Sequence, residues 1–229
     1  MTDGPRSIWL RKERSGRGPT PEHGRTQIAA AAMELADAGG LDAVSTRKVA
    51  AAIGAGATSL YRYVRSRDEL LELMLDTACG EIGLGPASGE WRADLVHLAH
   101  QLRSLYRRHP WMLDLAQGQF PLTPNSVDVL EYALSTMADL DVPVTSKMEA
   151  IAMVNGSVAL VARMENATGR TTQAWQEAQV EYLMSVVSTG SHPHLAAALQ
   201  SSPAAPRSDV TDLLDRVLLR VLAGVLEPG

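Results

Sequence analysis

Residues Ser45 to Leu71, STRKVAAAIGAGATSLYRYVRSRDELL, admit few folds. Val49, Ala50 and Ile53 recur at helical spacing behind Ser45, a hydroxyl residue in an N-cap position. Gly54-Ala55-Gly56 then breaks the period and supplies the short Gly-containing turn that two crossed helices need. A second, short helix over about 57–64 places Leu60 and Val64 four residues apart, on one face, where they pack on the first helix. Ser66, with Glu69 three residues on, matches a capping box. It opens an apolar helix through Leu70, Leu71, Leu73, Met74 and Leu75. The pattern predicts a helix-turn-helix closed by a further helix.

The side chains left facing outward on the second helix are Thr58, Ser59, Arg62 and Tyr61. Small hydroxyls and Ala57 let a helix sit deep in a major groove, and Arg62 reaches a guanine edge or a phosphate. Tyr61 and Tyr63 carry hydroxyls that hydrogen-bond phosphate oxygens. Arg67 sits at a predicted helix N-terminus, which favours an anion. The competing reading is an ordinary three-helix substructure with a solvated polar face. Order, turn and cation placement together favour a DNA reader.

These residues resemble the DNA-binding domain of the tetracycline repressor (TetR) family. The STRKVA helix, the G-A-G turn, S-L-Y-R-Y-V and the basic residues before D-E-L-L follow that family's pattern from about Arg25 to Asp76. WLRKERSGRGPTPE and Trp91 to Met112 are similar, more weakly, to the tetracycline-repressor-like branch. The resemblance implies phosphate contacts from Thr46 and Arg47, and a recognition helix of Ala57, Thr58, Ser59, Tyr61, Arg62 and Tyr63. It implies a further phosphate contact from Arg67. Ala57 and Arg62 depart from tetracycline repressor itself, which has an amide and an aromatic there, so a different operator is expected.

The net charge of −5 is the wrong sign for a DNA binder until it is divided along the chain. Residues 1–70 carry 11 Lys/Arg against 8 Asp/Glu, whereas residues 71–229 carry 10 against 18. A modestly basic head on an acidic body suits a regulator with a separate core. At 45% hydrophobic residues the chain is globular. Its apolar runs are too short and interrupted to cross a bilayer, and its polar N-terminus lacks the apolar core of a signal peptide. The single cysteine, Cys79, leaves no internal disulfide. A cytoplasmic protein is expected.

Helical periods run through the remainder, and no strand pattern competes, so the expected fold is all-α. Residues 1–23 read as a flexible basic arm that lies along DNA or has no role, 24–70 as the reading head, and 71–229 as a ligand-binding and dimerisation domain. Gly190 to Arg207 reads as a polar loop. The helices over Ser146–Met164 and Asp209–Leu226 are apolar on more than one stripe. Such helices bury one face on their own core and the other on something else. The family implies a homodimeric four-helix bundle, and the alternative is a central buried helix in a monomer.

No catalytic residues, phosphate loop or dinucleotide fingerprint appear, so no enzyme, cofactor or metal site is expected. His97 and His100, three apart on one helix, could bind a metal or a ligand, but such pairs are more often a polar edge, and His192/His194 have no carboxylate nearby in sequence. Polar or aromatic groups among apolar ones on the core helices are candidate effector contacts: His97, His100, Gln101, Trp111, Tyr132, Met153, Asn155, Arg163 and Trp175. Positions at which tetracycline repressor uses histidines for its magnesium–drug complex fall on Gly83 and Ala116, and polar pocket positions fall on Leu98 and Leu102. The resemblance therefore implies a more apolar ligand than tetracycline. It also implies a double-stranded DNA operator as partner, released when the small molecule binds the core. A ligand-binding dimer without DNA affinity and a helical enzyme are the competing classes.

Overall fold

The computed structural model describes residues 7–11, 24–115, 121–168, 173–201 and 210–227. Among them are eleven α-helices and no strand. The head contains α1 (Arg25–Gly39), α2 (Thr46–Ala52) and α3 (Ala57–Leu60). The connecting helix is α4 (Arg67–Cys79). The core follows as α5 (Trp91–Arg108), α6 (Met112–Leu115), α7 (Pro124–Thr136), α8 (Val144–Thr168), α9 (Gln173–Ser188), α10 (Pro193–Ser201) and α11 (Val210–Leu226).

Local chemistry sets most of the boundaries. Gly40, at φ 72°, ends α1 with its N–H on Ala36 O. The Ser45 hydroxyl accepts from Lys48 N at 3.2 Å to start α2. Gly54, at φ 69°, turns the chain in the left-handed region, and Ala55 N closes back on Ala50 O at 2.8 Å. The Ser66 hydroxyl accepts from Glu69 N at 3.1 Å, opening α4. Thr123 and Ser126 form a reciprocal capping box behind Pro124 at the start of α7. Asn125 then pins that helix to α4: its backbone N–H reaches Asp76 Oδ1 at 2.8 Å and its amide reaches Asp76 O at 2.9 Å.

One continuous hydrophobic core runs from the head into the body. Ile28, Val49, Leu60, Val64 and Leu70 close the head, while α5, α7, α8 and α11 pack around Leu95, Ala133, Val158 and Leu218. α9 is the exception, with no buried residue among those described and its main packing on α10.

Three expectations change. Residues 7–11, expected in a flexible arm, are built into the head. Ser7 caps a 3-10 turn, Ile8 is wholly buried, and the Arg25 guanidinium donates to Ile8 O and Arg11 O, both at 3.2 Å. Arg11 also pairs with Glu69 of α4 at 2.5 Å. Burying an isoleucine outweighs the polar composition around it. The rest of 1–23 lies outside the described residues. The expected loop from Gly190 onward holds α10, because Pro193 suits a first helical turn and Leu-Ala-Ala-Ala-Leu favours helix. The recognition helix is shorter than 57–64: after Leu60 the chain tightens, with Tyr63 N on Leu60 O at 2.9 Å and Val64 N on the same oxygen at 3.0 Å.

Ile8→Ala should lower the denaturant-derived stability by about 2–4 kcal/mol. An unchanged unfolding midpoint would show that the 7–11 turn contributes nothing to the head.

Candidate functional site

The head offers one polar face. α2 and α3 pack through Val49 and Leu60, which are buried, and this leaves Arg47, Lys48, Thr58, Tyr61 and Arg62 exposed. Thr46, Ser59 and Tyr63 are half-buried. The four residues from Thr58 to Tyr61 surround the end of a one-turn helix, so their side chains fan out rather than stacking along a stripe. Arg67 is exposed at the start of α4, and its guanidinium donates to Leu41 O at 2.9 Å. That bond ties α4 to the 3-10 turn Leu41–Ala43 that follows α1 and holds the guanidinium beside the head surface.

The core holds an apolar cavity of about 240 Å³ between α4, α5, α7 and α8. Leu95, Leu98, Leu102, Val129, Ala133, Ile151 and Val154 make its walls, and Cys79 and Ile82 at the end of α4 close one side. Its polar groups are few and neutral. Burial, with Asp76 adding to it, pushes the Cys79 thiol up to about 12. Burial, assisted by Cys79, pushes the Tyr106 phenol up to about 12 as well. The Tyr106 hydroxyl donates to Asn155 Oδ1 at 3.0 Å.

A polar clamp joins head to core beside this cavity. His109, buried at the end of α5, has Nδ1 2.8 Å from Asp37 Oδ1 and Nε2 3.0 Å from Glu81 Oε1. Asp37 belongs to α1, and Glu81 follows α4. The buried Trp111 indole donates to the same Asp37 oxygen at 2.7 Å, and Arg108 pairs with Glu81 at 2.9 Å. The clamp and the cavity draw on the same short segments: Tyr106 and Met112 line the cavity, while His109 and Trp111 hold Asp37.

The chain matches the family model described as bacterial regulatory proteins, tetR family, over residues 28–74. It matches that of the tetracyclin repressor-like C-terminal domain over residues 85–228. It belongs to the TetR family. An HTH-type transcriptional repressor, DrrR1 of Streptomyces coeruleorubidus, is 37% identical over 83% of this chain and 74% of its own. An HTH-type transcriptional regulator of Saccharopolyspora erythraea is 36% identical over 58% of this chain and 57% of its own. The crystal structure of the Streptomyces coelicolor TetR family protein ActR in complex with actinorhodin superposes with a TM-score of 0.76, at 25% identity, covering 90% of this chain and 98% of that one. The relatives' names are those of transcriptional regulators and not of enzymes.

Within this TetR-family chain, the nine candidate effector residues scatter. Asn155 lines the apolar cavity. Trp111 and Arg163 border a second, more polar cleft of about 590 Å³ between α1 and the core, where the Arg163 guanidinium donates to Leu113 O. Gln101 donates to Gly83 O at 3.1 Å and contacts His97. His100 pairs with Asp215 of α11 at 2.7 Å. Tyr132 is half-buried, while Met153 and Trp175 are exposed on α8 and α9. The sequence reading favoured polar residues, but the cavity wall is mostly aliphatic. Leu98 and Leu102, noted as departures from tetracycline repressor, are part of it. His109, Asp37 and Glu81 were not singled out at all, because their meeting depends on packing across 72 residues.

Two measurements check this geometry. In a double-mutant cycle on unfolding free energy, Asp37→Asn and His109→Gln should couple by about 1 kcal/mol. Strict additivity would mean that the two side chains do not act as a pair. At pH 8, Cys79 should react with an aromatic disulfide reagent roughly a hundredfold or more slower in the folded protein than in denaturant, because the folded thiol stays protonated. Equal rates would contradict its burial.

Proposed function

We propose that this chain is a homodimeric repressor that leaves a palindromic operator when a small molecule occupies the core cavity. The observation that carries the reading is the placement of α4. Its first turn is tied to the reading head by Arg67 and Arg11, and its last turn contributes Cys79 to the cavity wall. A ligand that fits the cavity better in one setting of α4 shifts the population of head orientations by that difference in affinity. The name of DrrR1 as a repressor and the ActR–actinorhodin complex support the same reading.

Apolar side chains exposed on the core helices support dimerisation. α8 buries Val154, Val158 and Val161 on its own core but exposes Met153, Leu160 and Met164 at 51–60%. α11 buries Leu214, Leu218 and Leu222 and exposes Leu219 at 48%. α9 exposes Trp175, Val180, Tyr182 and Met184. Apolar surface on that scale favours a second copy. Two copies also place two heads on successive major grooves about 34 Å apart.

DNA contact is assigned to Thr46, Arg47, Ala57, Thr58, Ser59, Tyr61, Arg62, Tyr63 and Arg67. With an operator selected from a random duplex pool, Arg62→Ala should cost about 1–3 kcal/mol and relax base preference at one position of each half-site. Arg67→Ala should weaken binding evenly across sequences and reduce the salt slope by about 1. Unchanged affinity and discrimination in Arg62→Ala would remove its assigned role. Recovery of no sequence by the folded, ligand-free dimer would favour a ligand-binding dimer without a DNA function.

A further inference from the structure

The cavity wall contains no charged side chain. Its four polar residues are Cys79, Tyr106, Ser126 and Asn155. Ser126 has no proton to spare, since its hydroxyl accepts from Thr123 N at 2.8 Å and donates to Thr123 O at 3.0 Å. Tyr106 spends its one proton on Asn155 Oδ1. Asn155 Oδ1 faces Tyr106, and its Nδ2 donor has no protein partner among the described residues. The pair comes from different helices, α5 and α8, so the amide is held across the cavity and not on a loose loop.

The surroundings set what this donor can meet. An ion entering an apolar wall of this kind loses its hydration without a counter-charge. A fully apolar guest leaves the amide unpaired. We infer that the cavity selects an uncharged, mainly apolar molecule carrying one hydrogen-bond acceptor, such as a ketone or quinone oxygen, which Asn155 Nδ2 reads while Tyr106 holds the amide in place. Asn155 is thus a specificity-determining residue and Tyr106 its positioning residue. This inference rests on the cavity being the effector site, but its chemistry stands whether or not occupancy releases DNA.

The test uses a neutral fluorescent probe, N-phenyl-1-naphthylamine, bound to the purified full chain at pH 7.5. It is displaced by four guests of one chain length: nonane, 2-nonanone, nonanoate and nonylamine. The ketone should displace it about fivefold better than nonane, the gain of one hydrogen bond. The two ions should be about 100-fold weaker than the ketone. Asn155→Leu should abolish the ketone's advantage over nonane while keeping nonane's own affinity. Tyr106→Phe, which leaves the cavity shape intact, should reduce that advantage about twofold. Absence of probe uptake, displacement by nonanoate or nonylamine equal to that by the ketone, or a ketone preference that survives Asn155→Leu in a chain of unchanged helix content would each overturn the inference. Adding labelled operator separates the two claims. Ketone preference with no change in operator affinity upholds the recognition chemistry and removes ligand release.

Discussion

The contact on which the architecture turns is the meeting of His109 with Asp37 and Glu81. A single buried imidazole at the end of α5 faces a carboxylate from α1 on one nitrogen and a carboxylate from the end of α4 on the other. When both nitrogens carry protons, both are donors, and the ring satisfies one acceptor on the head and one at the core end of α4 at once. The Trp111 indole adds a second donor to Asp37. α4 is the covalent link from head to core, and a helix end can pivot. With the His109 junction, α1 is also anchored, so the head sits at a defined angle. Buried polar networks of this kind are costly when partly satisfied, which makes two discrete arrangements more natural than a continuum.

The apolar cavity lies against this junction. Its walls are aliphatic and its polar groups are neutral, so filling it gains chiefly by removing apolar surface from water. The Tyr106–Asn155 bond spans it, three residues before His109 along α5. Changes in packing around Tyr106 and Met112 must be accommodated by the same short segment that holds Asp37. The cavity and the clamp therefore share one short segment of chain beside α4.

Much of the head was legible in the sequence because its determinants are local. Ser45, Gly54 and Ser66 act within four residues of themselves, and each makes the bond or turn its residue type suggests. The two-faced character of α8 and α11 was legible for the same reason, since helical period is a local property. The arm was misjudged because one wholly buried side chain, Ile8, decides the fate of a polar segment. α10 was hidden by flanking serines and prolines. The cavity was not legible: periodicity identifies apolar faces but not which of them stay apart, and polar residues such as His100 and Gln101 found partners on neighbouring segments instead. His109 lies 72 residues from Asp37 and 28 from Glu81, and no short-range pattern encodes that pairing.

The most direct test of a head and core coupled through the clamp is hydrogen exchange, followed by mass spectrometry, with and without a saturating operator duplex. If the coupling holds, operator binding slows exchange in the reading head and also alters it at residues 105–113 and 78–82, which lie in the core. A change confined to residues 45–67, with the core segments exchanging at the same rate in both states, would contradict it.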